Sequence, residues 1–160
     1  VGTAVNLGGK LKGDVHVGFM EQDYDAAAFE DISQATFGGG LLWNATPITS
    51  VRAGIEQSIQ ETAQGAFSGY VSTAYDVEAE HAFQRNFLMT GRIGFARHDY
   101  EGGGVLTRDD DVLKFGGDVE YLLTRGVALV ASYDFTKRDS SIPESDFTNN
   151  RFMFSVDTEL

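Results

Sequence analysis

The chain is 160 residues long, carries a net charge of −12 and contains no cysteine. Disulfides, thiol nucleophiles and Cys-based metal centres are excluded, and the acidic balance argues against nucleic-acid phosphate as a partner. The longest apolar runs, such as VALVA, reach about five residues, far short of the ~20 that a membrane-crossing helix needs; strands are under no such limit.

With 19 Gly but only 2 Pro, the composition suits long strands, since proline removes a ladder donor. Apolar and polar residues alternate with a period of two along the chain. The pattern predicts nine strands, near 1–11, 15–24, 34–46, 51–62, 69–83, 87–100, 111–123, 127–138 and 148–160. In the fifth, Val71, Tyr75, Val77 and Phe83 oppose Ser72, Asp76, Glu78 and Glu80. In the seventh, Leu113, Phe115, Val119, Tyr121 and Leu123 oppose Lys114, Asp118 and Glu120. The eighth, VALVASYDFT at 127–136, sets Val127, Leu129, Ala131, Tyr133 and Phe135 against Ser132, Asp134 and Thr136. In the ninth, Phe152, Phe154, Val156 and Leu160 oppose Arg151, Ser155, Asp157 and Glu159.

Connections alternate in length. Short turns fall at KGD (12–14), PITS (47–50), QRN (84–86) and TRG (124–126), and longer polar loops at 25–33, 62–68, 101–110 and 139–147. A meander with short turns at one end and long loops at the other has the asymmetry of an outer-membrane barrel. A soluble barrel with its apolar face in a core shares the alternation but varies its loops less regularly. Trp43, Phe83, Phe87 and Tyr121 sit beside the short turns, and Tyr24, Tyr70, Tyr100, Tyr133 and Phe135 toward the long loops, as two membrane interfaces would select. Single-chain bacterial barrels have even strand numbers, so nine strands point to the C-terminal part of a larger barrel.

Several stretches also resemble a known family: SVRAGIEQSIQET, GYVSTAYDVEAEHAFQRNFLMTGRIGFARHDYEG, the loop TRDDD, FGGDVEYLLTRGVALVASYDFTKRDSS and the ending SDFTNNRFMFSVDTEL. Over about residues 48–160 the chain is similar to the putative β-barrel porin 2 family of Gram-negative outer membranes; the first third is only compatible with it. The resemblance implies a transmembrane antiparallel up-and-down β-barrel in the bacterial outer membrane. Some relatives are linked to polysaccharide export, and no catalytic residue carries over. Leu160 stands where such barrels favour a terminal Phe.

With the polar face inward, the lumen set is Arg52, Glu56, Asp76, Glu78, Glu80, Arg92, Lys114, Asp118, Glu120, Asp134, Arg151, Asp157 and Glu159. The QRN turn places Glu78 opposite Arg92. An acidic wall favours cations, although such charges also serve simply to fill or hydrate an interior. The lipid-interface set is Trp43, Phe83, Phe87, Tyr121, Tyr133 and Phe135.

Acids in the long loops (Glu30 and Asp31, Asp109 to Asp111, Glu144 and Asp146) lack EF-hand spacing, and solvated loop charge is the preferred reading over a cation site. His16, His81 and His98 lie on different strands without an HExxH pair. No nucleophile elbow or phosphate loop occurs, so neither an enzyme nor a cofactor is expected. Two functions stay open: a pore for ions, small solutes or exported polysaccharide, and a non-conducting barrel that anchors or connects envelope machinery. Expected partners are outer-membrane lipids and lipopolysaccharide, with export machinery or other barrel subunits as further candidates.

Overall fold

The computed structural model describes residues 1–22, 32–62, 67–101 and 107–158. Nine strands lie in chain order in one antiparallel sheet: β1 (Gly2–Leu7), β2 (Leu11–Gln22), β3 (Ile32–Thr46), β4 (Thr49–Glu61), β5 (Gly69–Gln84), β6 (Phe87–Glu101), β7 (Asp109–Thr124), β8 (Val127–Ser140) and β9 (Phe147–Thr158). No helix occurs among the described residues. The expected alternation of short and long connections is present in these boundaries: two or three residues separate the strands at one end, and six or more at the other.

The first turn differs from expectation. It lies at residues 8–10 rather than at KGD, because Gly8 and Gly9 both take left-handed backbone, with φ of 63° and 73°. Glycine adopts that region without a Cβ clash. Gly13 stays extended instead, between Val5 and Leu41. Beside each of the other three short turns the register slips once, at Asn44/Thr46, Ala82/Gln84 and Leu122/Thr124. Such bulges increase local twist.

The register fixes the tilt of the strands. One line of paired residues crosses β2 to β9 through Leu11, Trp43, Val51, Ala79, Gly91, Gly117, Tyr133 and Phe152. The first hairpin closes on this line at Leu11. The next three begin their return strands two residues below it at Thr49, four below at Phe87 and six below at Val127. Each hairpin therefore descends two residues, or one per strand. With the turns level, a step of ~3.3 Å per ~4.8 Å strand spacing requires a tilt of about 35°. Barrels require a similar tilt.

Aromatic residues of the apolar face fall at two levels once this stagger is applied. Trp43, Phe83, Phe87 and Tyr121 share the level just above the short turns. Phe19, Phe37, Tyr75, Phe95, Phe115, Tyr133, Phe135 and Phe152 share another about seven residues of strand away, or ~19 Å along the normal. Leu41, Val77, Met89, Val119, Leu129 and Val156 lie between them. Among the described residues no core covers the aromatic levels and the band between them: Phe154 is 83% and Phe152 71% exposed.

The sheet is open at β1 and β9, which with an odd strand count run in the same direction. β3 parts from β4 above Gly38–Glu56. Beyond the fork Ile32 packs with Ile59 and Val71, and the Gln22 amide donates to Glu61 at 3.0 Å.

Candidate functional site

Strand alternation brings Arg52, Glu56, Asp76, Glu78, Glu80, Arg92, Lys114, Asp118, Glu120, Asp134, Arg151 and Asp157 to one face of the sheet. Glu159 lies outside the described residues. One cross-strand row reads Lys12, Leu42, Arg52, Glu78, Arg92, Gly116, Asp134 and Arg151.

Glu78 does stand opposite Arg92, but the ion pairs run elsewhere. Glu78 takes Arg52, at 2.8 Å. Arg92 donates to Asp118 and reaches on to Asp134 at 3.4 Å. Asp134 also accepts from Arg151, at 2.8 Å. Gly116 makes the long reach possible, since a Cβ there would meet the Tyr133 carbonyl at 2.6 Å and Asp134 Oδ1 at 2.8 Å. Gly38 plays the same part between β2 and β4: His16 Nε2 lies 3.5 Å from Glu56 Oε2 across it. A glycine on the middle strand lets polar side chains two strands apart meet above the backbone.

Along this row pairing occupies all three arginines, Arg52, Arg92 and Arg151. Asp76, Glu80, Glu120, Asp157, Lys12 and Lys114 form no ion pair among the described residues. Glu80, Glu120 and Asp157 sit toward the short turns on every second strand, and the stagger brings them to one level.

Among the described residues the densest polar cluster lies at the other end, beyond the apolar band, around Asp110, which the sequence offered only as a loop acid without its partners. Asp110 is fully buried. Arg108 Nε and Nη2 donate to its two oxygens at 2.9 and 2.6 Å, Ser140 Oγ donates at 2.5 Å, and the Tyr100 hydroxyl lies at 3.3 Å. Arg138 Nε stands 3.8 Å away. The Arg108 guanidinium covers the Tyr100 ring at 4.5 Å, and Tyr100 packs against Phe67 and Tyr70. Burial pushes the Asp110 carboxyl up, but its hydrogen bonds and the charges of Arg108 and Arg138 outweigh this and hold it below the usual carboxylate value.

Two expectations are corrected here. Tyr70 and Tyr100 lie on the charged face rather than in an outer aromatic belt, because they share the parity of Asp76 and Arg92. Asp109 to Asp111 belong to β7 instead of a loop, and alternation sends Asp110 to one face and its neighbours to the other. Asp146 accepts from the Ser140 amide at 2.6 Å. Among the described residues no group of three or more acids and histidines is placed to hold a metal ion. Tyr24, Glu30 and Asp31 lie outside the described residues.

The opposite face carries Trp43, Phe83, Phe87, Tyr121, Tyr133 and Phe135. Phe115 stacks on Phe135 at 4.5 Å, and the Tyr133 hydroxyl donates to Asn150 at 2.8 Å. Beyond this apolar surface the same face turns polar, with the ion pairs Arg97–Asp99 at 3.2 Å and Lys137–Asp139 at 2.7 Å.

Up-and-down strands that step one residue each, charged on one face and apolar on the other, are the wall of a β-barrel. The chain belongs to the putative beta-barrel porin 2 family, whose model matches residues 1–160. The match includes the first third, where the resembling motifs are absent. No curated protein sequence is similar enough to count as a relative.

Proposed function

We propose that this sheet is part of the wall of an outer-membrane pore, with its charged face toward a watery lumen and its apolar face toward lipid. The carrying observation is the pairing pattern of the charged face: Arg52, Arg92 and Arg151 are neutralised, and among the described residues the carboxylates without an ion pair, Asp76, Glu80, Glu120 and Asp157, outnumber Lys12 and Lys114. Such a wall attracts cations. Two aromatic levels flanking an aliphatic band suit the two interfaces of a membrane. The Arg97–Asp99 and Lys137–Asp139 pairs then meet lipid headgroups, including those of lipopolysaccharide. Antiparallel closure of nine strands takes an odd number of further strands. The role is passage of ions and small solutes rather than catalysis.

The test is reconstitution of the full-length protein in a planar bilayer under a salt gradient. Stepwise currents with a cation-selective reversal potential support the pore, and neutralising Glu120 shifts that potential toward zero. Absence of current from correctly folded protein overturns it in favour of a structural barrel.

A further inference from the structure

We propose that the charged face contains a binding site for small zwitterionic solutes, between Asp76 and Lys114. The inference rests on the reading of this face as the lumen. Three constellations on the face share one plan, with a basic and an acidic side chain flanking a glycine on the strand between them. Two are closed: His16 meets Glu56 over Gly38, and Arg92 meets Asp134 over Gly116. In the third, Asp76 and Lys114 flank Gly94 in one cross-strand row, and no ion pair joins them.

The third is open because Asp76 turns the other way. Its carboxylate leans over Gly54, where a Cβ would meet Asp76 Oδ1 at 2.6 Å. Above Gly94 the nearest atoms to such a Cβ are the Tyr75 carbonyl at 3.5 Å and Lys114 Cβ at 4.0 Å. The result is a recess of about 450 Å³ that Asp76, Gly94, Lys114, Thr136 and Asn149 help to line. Neighbouring charges do not compete for the two groups, since Arg92 and Arg151 hold Asp134, and Glu78 holds Arg52.

The backbones of Asp76 and Lys114 stand two strand spacings apart, ~10 Å, and the Asp76 carboxylate leans away from Lys114 over Gly54, so the recess between them is open to a solute. A solute that carries both an ammonium and a carboxylate meets both groups from within the recess, with a hydrogen bond of ~2.8 Å at each end. An uncharged or singly charged solute of equal size satisfies at most one of them. The site therefore selects charge pattern, and Thr136 and Asn149 add hydrogen bonds without adding charge.

The experiment measures binding of γ-aminobutyrate, butyrate and butylammonium to the full-length protein in detergent by equilibrium dialysis, with bilayer currents recorded in parallel. γ-Aminobutyrate should bind at least tenfold tighter than either singly charged analogue. Asp76→Asn should erase its advantage over butyrate, and Lys114→Gln its advantage over butylammonium, whereas Lys114→Arg keeps both. Heat-modifiable gel migration checks that each variant folds. Equal binding of the three solutes, or unchanged discrimination in both neutral variants, overturns the site. Discrimination without current upholds the site and rejects the pore; current without discrimination does the reverse.

Discussion

Arg92 lies 3.4 Å from Asp134 although β7 runs between their strands, and Gly116 is the residue in the gap. A side chain at 116 collides with the Tyr133 carbonyl, which cannot swing aside. Gly116→Val should cost about 2 kcal/mol by overpacking and separate Arg92 from Asp134. Gly91 is the control, since nothing lies within 4 Å of a Cβ there, and Gly91→Ala should be nearly neutral. Urea unfolding of both variants in detergent measures the difference; equal losses would remove the steric role of the gap.

Asp110 and Arg108 are a buried pair, with side chains 0% and 2% exposed. Asp110→Ala leaves the guanidinium without its carboxylate, at a cost of about 3 kcal/mol. Because the folded carboxyl titrates below its reference value of 3.8, its contribution is complete above that value. It fades as pH falls from 3.8 toward the lower folded value. Unfolding free energies of the native protein and Asp110→Asn should therefore diverge most at neutral pH and converge in acid. A gap that widened on acidification would reverse the assignment.

Strand number and facing were legible because a period of two survives along the whole chain, whereas strand ends were not. Gly13 and Gly8 look alike as letters, and only the need for consecutive left-handed residues makes Gly8–Gly9 the turn. The Glu78–Arg92 register followed from a short turn that fixes it, but the partner of Arg92 did not. Arginine is long enough to cross a strand, and the crossing depends on a glycine 24 positions away in sequence. Tyr70 and Tyr100 show that position near a strand end does not decide the face; their even parity did, and it was readable. The Asp110 cluster was hidden because it joins residues on both sides of a long loop to β8.

Asp118 and Glu120 both sit on the charged face of β7, yet only Asp118 has an arginine. Neutralising either removes one negative charge from the wall, so both Asp118→Asn and Glu120→Gln should reduce cation preference. Stability separates them. Asp118→Asn loses a half-exposed charge-assisted pair, about 1 kcal/mol after solvent screening, while Glu120→Gln should leave the unfolding midpoint unchanged. Measuring both properties on both variants checks the pairing, and an equal stability loss would contradict it.

Trp43 tests which face meets lipid, because it is the chain's single tryptophan and sits 49% exposed at the level of the short turns. With the apolar face outward, the ring lies at a membrane interface rather than in the lumen. In vesicles, lipids brominated near the headgroup should quench its emission strongly. Lipids brominated at the chain end should quench it weakly, and aqueous acrylamide only modestly. A ring in the lumen would give the opposite order, with acrylamide the strongest quencher and bromine at either depth ineffective. Phe83, Phe87 and Tyr121 share the level of Trp43 after the one-residue stagger. Trp43→Phe combined with Tyr121→Trp should therefore reproduce the same depth from β7, four strands away, and a different depth there would refute the 35° tilt.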